Sequence, residues 1–245
     1  MAADARVALL TRLIDHAPLF PPASLPLPDA LEEDRRARDD PAAFVLARFV
    51  CPASRVPDLG DEERALSVVL DEPPPADPRI EAVETTAPDA VPSGVETYVE
   101  LPIDDALEAR LDEVAARGFH AKVRCRGRVT PTVDELARFV RACRAHGLPF
   151  KATAGLHHAV RTEDRVPTEH GFLNVLAAVV FGDEEAALAE TDAAAFSLTR
   201  EHFSWRDRSA EPGELAEARR RLRSIGSCSF FEPVEELTQL GILPL

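Results

Sequence analysis

The stretch GFHAKVRCRGRVTPTVDELARFVRACRAHGLPFKATAG (residues 118–155) reads as a strand, a helix and a second strand in succession. His120 to Cys125 and Phe150 to Ala154 are short runs bounded by turn residues, with apolar side chains recurring at every second position. Between them, Thr132 and Glu135 have the spacing of a capping box, and helical periodicity continues to Ala145 before Gly147. A strand, helix and strand joined this tightly form the repeating unit of a parallel α/β sheet.

Working outward, six further strand-like runs bring the total to eight: Leu13 to Ala17, Phe44 to Cys51, Ala65 to Leu70, Ile80 to Thr85, Val95 to Leu101 and Arg223 to Ser229 complete the set. Helices are expected over Asp104 to Ala116, Phe172 to Phe181, the alanine-rich stretch after Asp183, Glu214 to Leu222 and Pro233 to Leu240. By contrast, DEPPPADP (71–78) and TAPDAVPSG (86–94) are proline-rich and too short for full crossover helices. No repeat or long linker divides the 245 residues, a length that suits one eight-stranded unit. The expected fold is therefore a single (β/α)₈ TIM-type barrel over residues 1–245, with some crossover helices shortened or missing.

Composition narrows the function classes. The net charge of −15 opposes binding to nucleic acid, and the Arg219-Arg220-Arg221 run fits a solvated helix face. No apolar run approaches the roughly 18–20 residues of a membrane helix. The opening MAADARVALLTRLIDHAPLF carries Asp4 within its short apolar part, so no membrane association and a cytoplasmic location are expected. Cys51, Cys125, Cys143 and Cys228 lack CxxC spacing, which points to reduced thiols. Cys51 and Cys228 read as buried small residues rather than nucleophiles, since neither has a histidine beside it in the sequence.

The 28 basic residues include only two lysines, Lys122 and Lys151, in two consecutive strands; the other 26 are arginine. Lysine can shed its proton and act as an amine nucleophile or base, which arginine cannot. If Ala121, Val123 and Cys125 face the helices, then His120, Lys122 and Arg124 point into the barrel, and Lys151, Thr153 and Gly155 do so from the next strand. The same alternation offers Glu96, the single tyrosine Tyr98 and Glu100, while Glu84 faces inward near the end of its strand. Lysines on neighbouring strands are expected to repel, and repulsion with partial burial lowers an amine pKa into the nucleophilic range. Glu100 and Tyr98 are then acid/base partners, and Arg124 holds an anionic group. The alternative is that Lys122 and Glu100 form a structural ion pair.

Past the seventh strand, His157, His170 and Asn174 are candidate substrate contacts, as are Thr153 and Glu84. A divalent metal held by His157, His170 and Glu84 is the alternative to a cofactor-free site. Gly226 to Ser229 closes the last strand with small residues, and Ser229 with its neighbours can receive an anion there, unless the glycine serves packing alone. Asp15 or His16 can reach the same mouth, where Leu19 and Phe20 can instead cap the barrel.

The segments LIDHAPLFPPA, FVCPAS, AKVRCRG, FKATAGLHH, GFLN and GSCSF together resemble a bacterial (β/α)₈-barrel family with no assigned activity, over nearly the whole chain. More remotely, Lys122 and Lys151 in consecutive late strands look like the lysine pair of class I deoxyribose-phosphate-type aldolases. In that family one lysine forms an imine and the second tunes it. AKVRCRG lacks the family's KTSTG pattern, which leaves open which lysine would react. The expected function is a lyase of aldolase type or an isomerase acting on a small anionic carbonyl compound. A metal-dependent hydrolase or lyase and a non-catalytic barrel binding a ligand or partner are the alternatives, and a homo-oligomer stays open.

Overall fold

In the computed structural model, which describes residues 3–127, 130–162 and 169–245, eight parallel strands close into a barrel. In chain order the strands are β1 (Ile14–His16), β2 (Leu46–Pro52), β3 (Leu66–Val69), β4 (Ile80–Thr85), β5 (Glu96–Glu100), β6 (His120–Arg124), β7 (Phe150–Thr153), β8 (Phe196–Leu198), β9 (Phe203–Trp205), β10 (Arg208–Ala210) and β11 (Leu222–Ser227). The helices are α1 (Ala5–Leu10), α2 (Leu27–Arg38), α3 (Leu107–Ala116), α4 (Val133–Ala145), α5 (Phe172–Phe181), α6 (Glu184–Ala189), α7 (Pro212–Arg221) and α8 (Phe231–Gln239). Strands β1 to β7 pair in sequence, and β11 closes the ring between β7 and β1. All eight barrel strands fall where the sequence pattern puts them.

The helix layer is uneven for the reason the prolines give. Full helices follow β5, β6 and β7, whereas a 3-10 turn over Ala53–Leu59 follows β2, an irregular loop follows β3 and a 3-10 turn over Pro88–Ala90 follows β4. The capping box forms as its spacing dictates: the Thr132 hydroxyl accepts from the Glu135 amide (3.2 Å), and the Glu135 carboxylate accepts from the Thr132 amide (2.7 Å).

Three features lie outside the sequence pattern. Helix α1 precedes the barrel, its first turn capped by the Asp4 carboxylate accepting from the Arg6 amide (3.0 Å). Helix α2 fully buries only Ala30, Asp34 and Ala37; Leu27 and Leu31 pack partly buried against the core, and charge completes the docking, with Asp34 held by Arg64 (3.0 Å) and Arg38 (3.1 Å). Hydrophobic periodicity does not register such a helix. The third feature is an antiparallel sheet, β8 to β10, which covers α5, apolar but for Asn174, with Phe181 stacked on Phe203 at 5.7 Å between ring centres.

Two layers of apolar side chains pack outside the strands. The larger includes Val99, Ala121, Val123, Ala152 and Ile225 against the helices, and the smaller joins Phe49, Leu66, Val68 and Val83 to Ala30 of α2. Outward parity at these positions turns the alternate residues into the barrel. No helix among the described residues is long and apolar enough to cross a membrane.

Candidate active site

The barrel interior is charged where such barrels are ordinarily filled with branched apolar side chains. Strand register puts Lys122 level with both Glu100 and Lys151, while Lys151 is level with Ser224. The fully buried Lys151 ammonium lies 2.6 Å from Asp15 of β1 and contacts the Glu84 carboxylate of β4. Asp15 reaches it past the small side chain of Ser224 on the intervening β11, which donates to Asp15 (2.7 Å), and Glu84 is also held from its other side by Ser67 of β3, which donates to it (2.7 Å). Lys122, 6% exposed, takes the other Glu84 oxygen at 2.8 Å and Glu100 at 3.0 Å.

Glu84 therefore stands between the two ammonium groups, and the expected mutual repulsion of the lysines is corrected by it. Burial alone would raise the Glu84 pKa, but the two lysines outweigh burial and hold it well below the carboxylate range. Burial likewise works to lower the Lys122 pKa, yet Glu84 and Glu100 raise it above the ordinary lysine value. The resting Lys122 is a firmly charged ammonium.

A cavity of about 140 Å³ opens above this cluster at the carboxyl ends of the strands, lined by Glu84, Glu100, Lys122, Lys151, Arg124, Thr153, His157 and Cys228. Ala17, Phe20, Pro21, Val50 and Val69 form its apolar side. Phe20 thus walls the mouth, while the alternation of β1 sends Asp15 inward and His16 outward to Glu33 (3.3 Å) and Asp34 (3.7 Å). Arg124 is half exposed and only loosely tied to Glu100, at 4.0 Å, so its guanidinium is available to a ligand. Thr153 donates to the Val123 carbonyl (3.3 Å) and packs against Gly226, where a Cβ atom would come within 3.0 Å of its methyl group. A larger residue at position 226 would press on Thr153 where β11 approaches β7.

Four expected site residues lie elsewhere. Tyr98 is buried beneath the cluster, its ring 5.5 Å from the Lys151 ammonium, and it does not line the cavity; burial pushes its phenol up, away from acid/base use near neutral pH. His170 hydrogen-bonds the Pro131 carbonyl (2.8 Å) outside the cavity, so it does not meet Glu84 and His157 around a common point. Asn174 is structural: it accepts from the Arg161 amide and donates to the Ala187 and Glu190 carbonyls. Ser229 accepts from the Glu232 amide (3.3 Å) near the start of α8 and faces an outer vestibule. Among the described residues no three His, Cys, Asp or Glu side chains are grouped to hold a metal ion.

The structure gives Asp15, expected only as able to reach the mouth, a definite partner, and it brings in Cys228, which the sequence reads as an inert buried residue. Asp15 is the second anchor of Lys151, and Cys228 lies beside His157, with Sγ 3.7 Å from Nδ1. No sequence signal links Cys228 to a histidine 71 positions earlier. Compared with family models, curated proteins and solved structures, the chain matches none of them.

Proposed function

We propose that this barrel is a cytoplasmic, cofactor-free enzyme of aldolase or isomerase type that acts on a small anionic carbonyl compound, with Lys122 as the imine-forming amine. The carrying observation is the position of the Lys122 ammonium in the cavity wall between Glu84 and Glu100, with Arg124 above it. Lys151 has the same chemistry but is fully buried and anchored by two carboxylates, which suits a fixed positive charge.

Reaction begins with transfer of the Lys122 proton to Glu100, the partner that solvent can reach. The neutral amine adds to the carbonyl carbon, and loss of water leaves a C=N bond in place of C=O. Protonated, that nitrogen is again a cation between Glu84 and Glu100, so the charge balance of the buried cluster is restored. Electrostatic stabilisation is therefore directed at the iminium. Arg124 receives the substrate anion, while Thr153 and His157 border the space left for the carbon chain.

Borohydride reduction in the presence of small phosphorylated or carboxylated aldehydes and ketones, followed by intact mass, tests this reading. One adduct per chain is expected, and its yield should rise toward alkaline pH because the Lys122 pKa is raised. No adduct across the panel removes the imine mechanism. The reading that the lysines serve only as ion pairs draws on the complete pairing of Lys151. It requires substitution of either lysine to unfold the protein rather than leave it folded and unreactive.

A further inference from the structure

Cys228 differs from the other three cysteines of the chain. Cys51, Cys125 and Cys143 are at most 1% exposed and belong to the apolar packing between strands and helices, whereas Cys228 is 8% exposed and lines the barrel cavity. Its sulfur is 3.7 Å from Nδ1 and 3.8 Å from Nε2 of His157, so a small rotation of the ring brings either nitrogen to the thiol proton. The ring itself forms part of the wall between the cavity and the outer vestibule, and on the vestibule side Glu232 lies 3.2 Å from Nδ1.

We propose that Cys228 and His157 form a second covalent site, which takes small aldehydes as a thiohemiacetal. The assignment does not rest on the imine reading at Lys122. Burial pushes the Cys228 thiol pKa up and pulls the His157 pKa down, so both groups rest uncharged and the proton moves to the ring only as the S–C bond forms. In the step, the thiol proton passes to His157, the S–C bond forms at the carbonyl carbon and the C=O π pair moves to oxygen. That oxygen then takes the proton back from His157. The product is neutral, needs no leaving group or oxidant and leaves no uncompensated charge in a poorly solvated cavity. An aldehyde fits better than a bulkier electrophile because the space is about 140 Å³.

The test uses the full chain with two probes. Limiting iodoacetamide should place a single carbamidomethyl group on Cys228, and His157→Asn or His157→Gln should slow that labelling by about tenfold or more. Propanal labelled at its carbonyl carbon should give a thiohemiacetal resonance that is lost in Cys228→Ser and Cys228→Ala and retained in Lys122→Met, where any imine resonance disappears. Variants are compared after circular dichroism confirms the fold. Labelling spread over several cysteines, an unchanged rate in both folded His157 variants, or no thiohemiacetal resonance with wild-type protein would overturn the proposal.

Discussion

The two ends of the barrel are both filled with charge, but with different cations. At the amino-terminal end Arg48 of β2 forks between Glu81 (3.0 Å) and Glu96 (2.6 Å), and Glu96 also receives Arg223 (3.0 Å) and His120 (3.3 Å). At the carboxyl end both cations buried among the carboxylates are lysines. A guanidinium is planar, always charged and able to bridge two acids in fixed directions, which suits a plug. An ammonium is compact and can give up its proton. The contrast separates a region where charge holds strands together from one where charge can change.

Removing the deepest cation should have the largest effect. Lys151→Met leaves Asp15 and one Glu84 oxygen buried without their counter-charge and should cost about 3–5 kcal/mol in denaturant unfolding. Lys122→Met should cost clearly less, because Glu84 keeps Lys151 and Glu100 is open to solvent. Equal losses would erase the distinction between the anchored and the reactive lysine.

Acid should act next through Glu84. Its folded pKa lies below the unfolded value of about 4.3, so its contribution is complete above that pH and is lost as pH falls toward the folded value. Glu84→Gln should lower stability at neutral pH and flatten the decline between about pH 5 and pH 2, as read by thermal melts. An unchanged acid limb would place the acid sensitivity in another carboxylate.

The smallest effect is expected at the plug. Arg48→Lys keeps the charge but loses the fork and should cost about 1–2 kcal/mol while leaving borohydride trapping intact. Loss of trapping would show that the two ends are coupled.

Much of this contrast is legible in the sequence. Alternation within HAKVRC and FKATA is enough to send Lys122 and Lys151 inward, and the scarcity of lysine singles them out. The pairing of Asp15 with Lys151 is not, since it depends on which strands face each other across the barrel and on Ser224 being small enough to let Asp15 pass. Tyr98 has the right parity and the wrong depth, which periodicity along one strand cannot register. The apolar stripe of α2, Leu27, Ala30, Leu31 and Ala37, is short and interrupted by Asp34, and the sheet over α5 consists of three-residue strands too short to show a period.

The most direct measurement is a peptide map of the borohydride-trapped protein. The adduct is expected on Lys122, at the same position in Arg48→Lys, and absent from folded Lys122→Met. An adduct on Lys151, or none on either lysine, would contradict the assignment of the reactive amine to the mouth of the barrel.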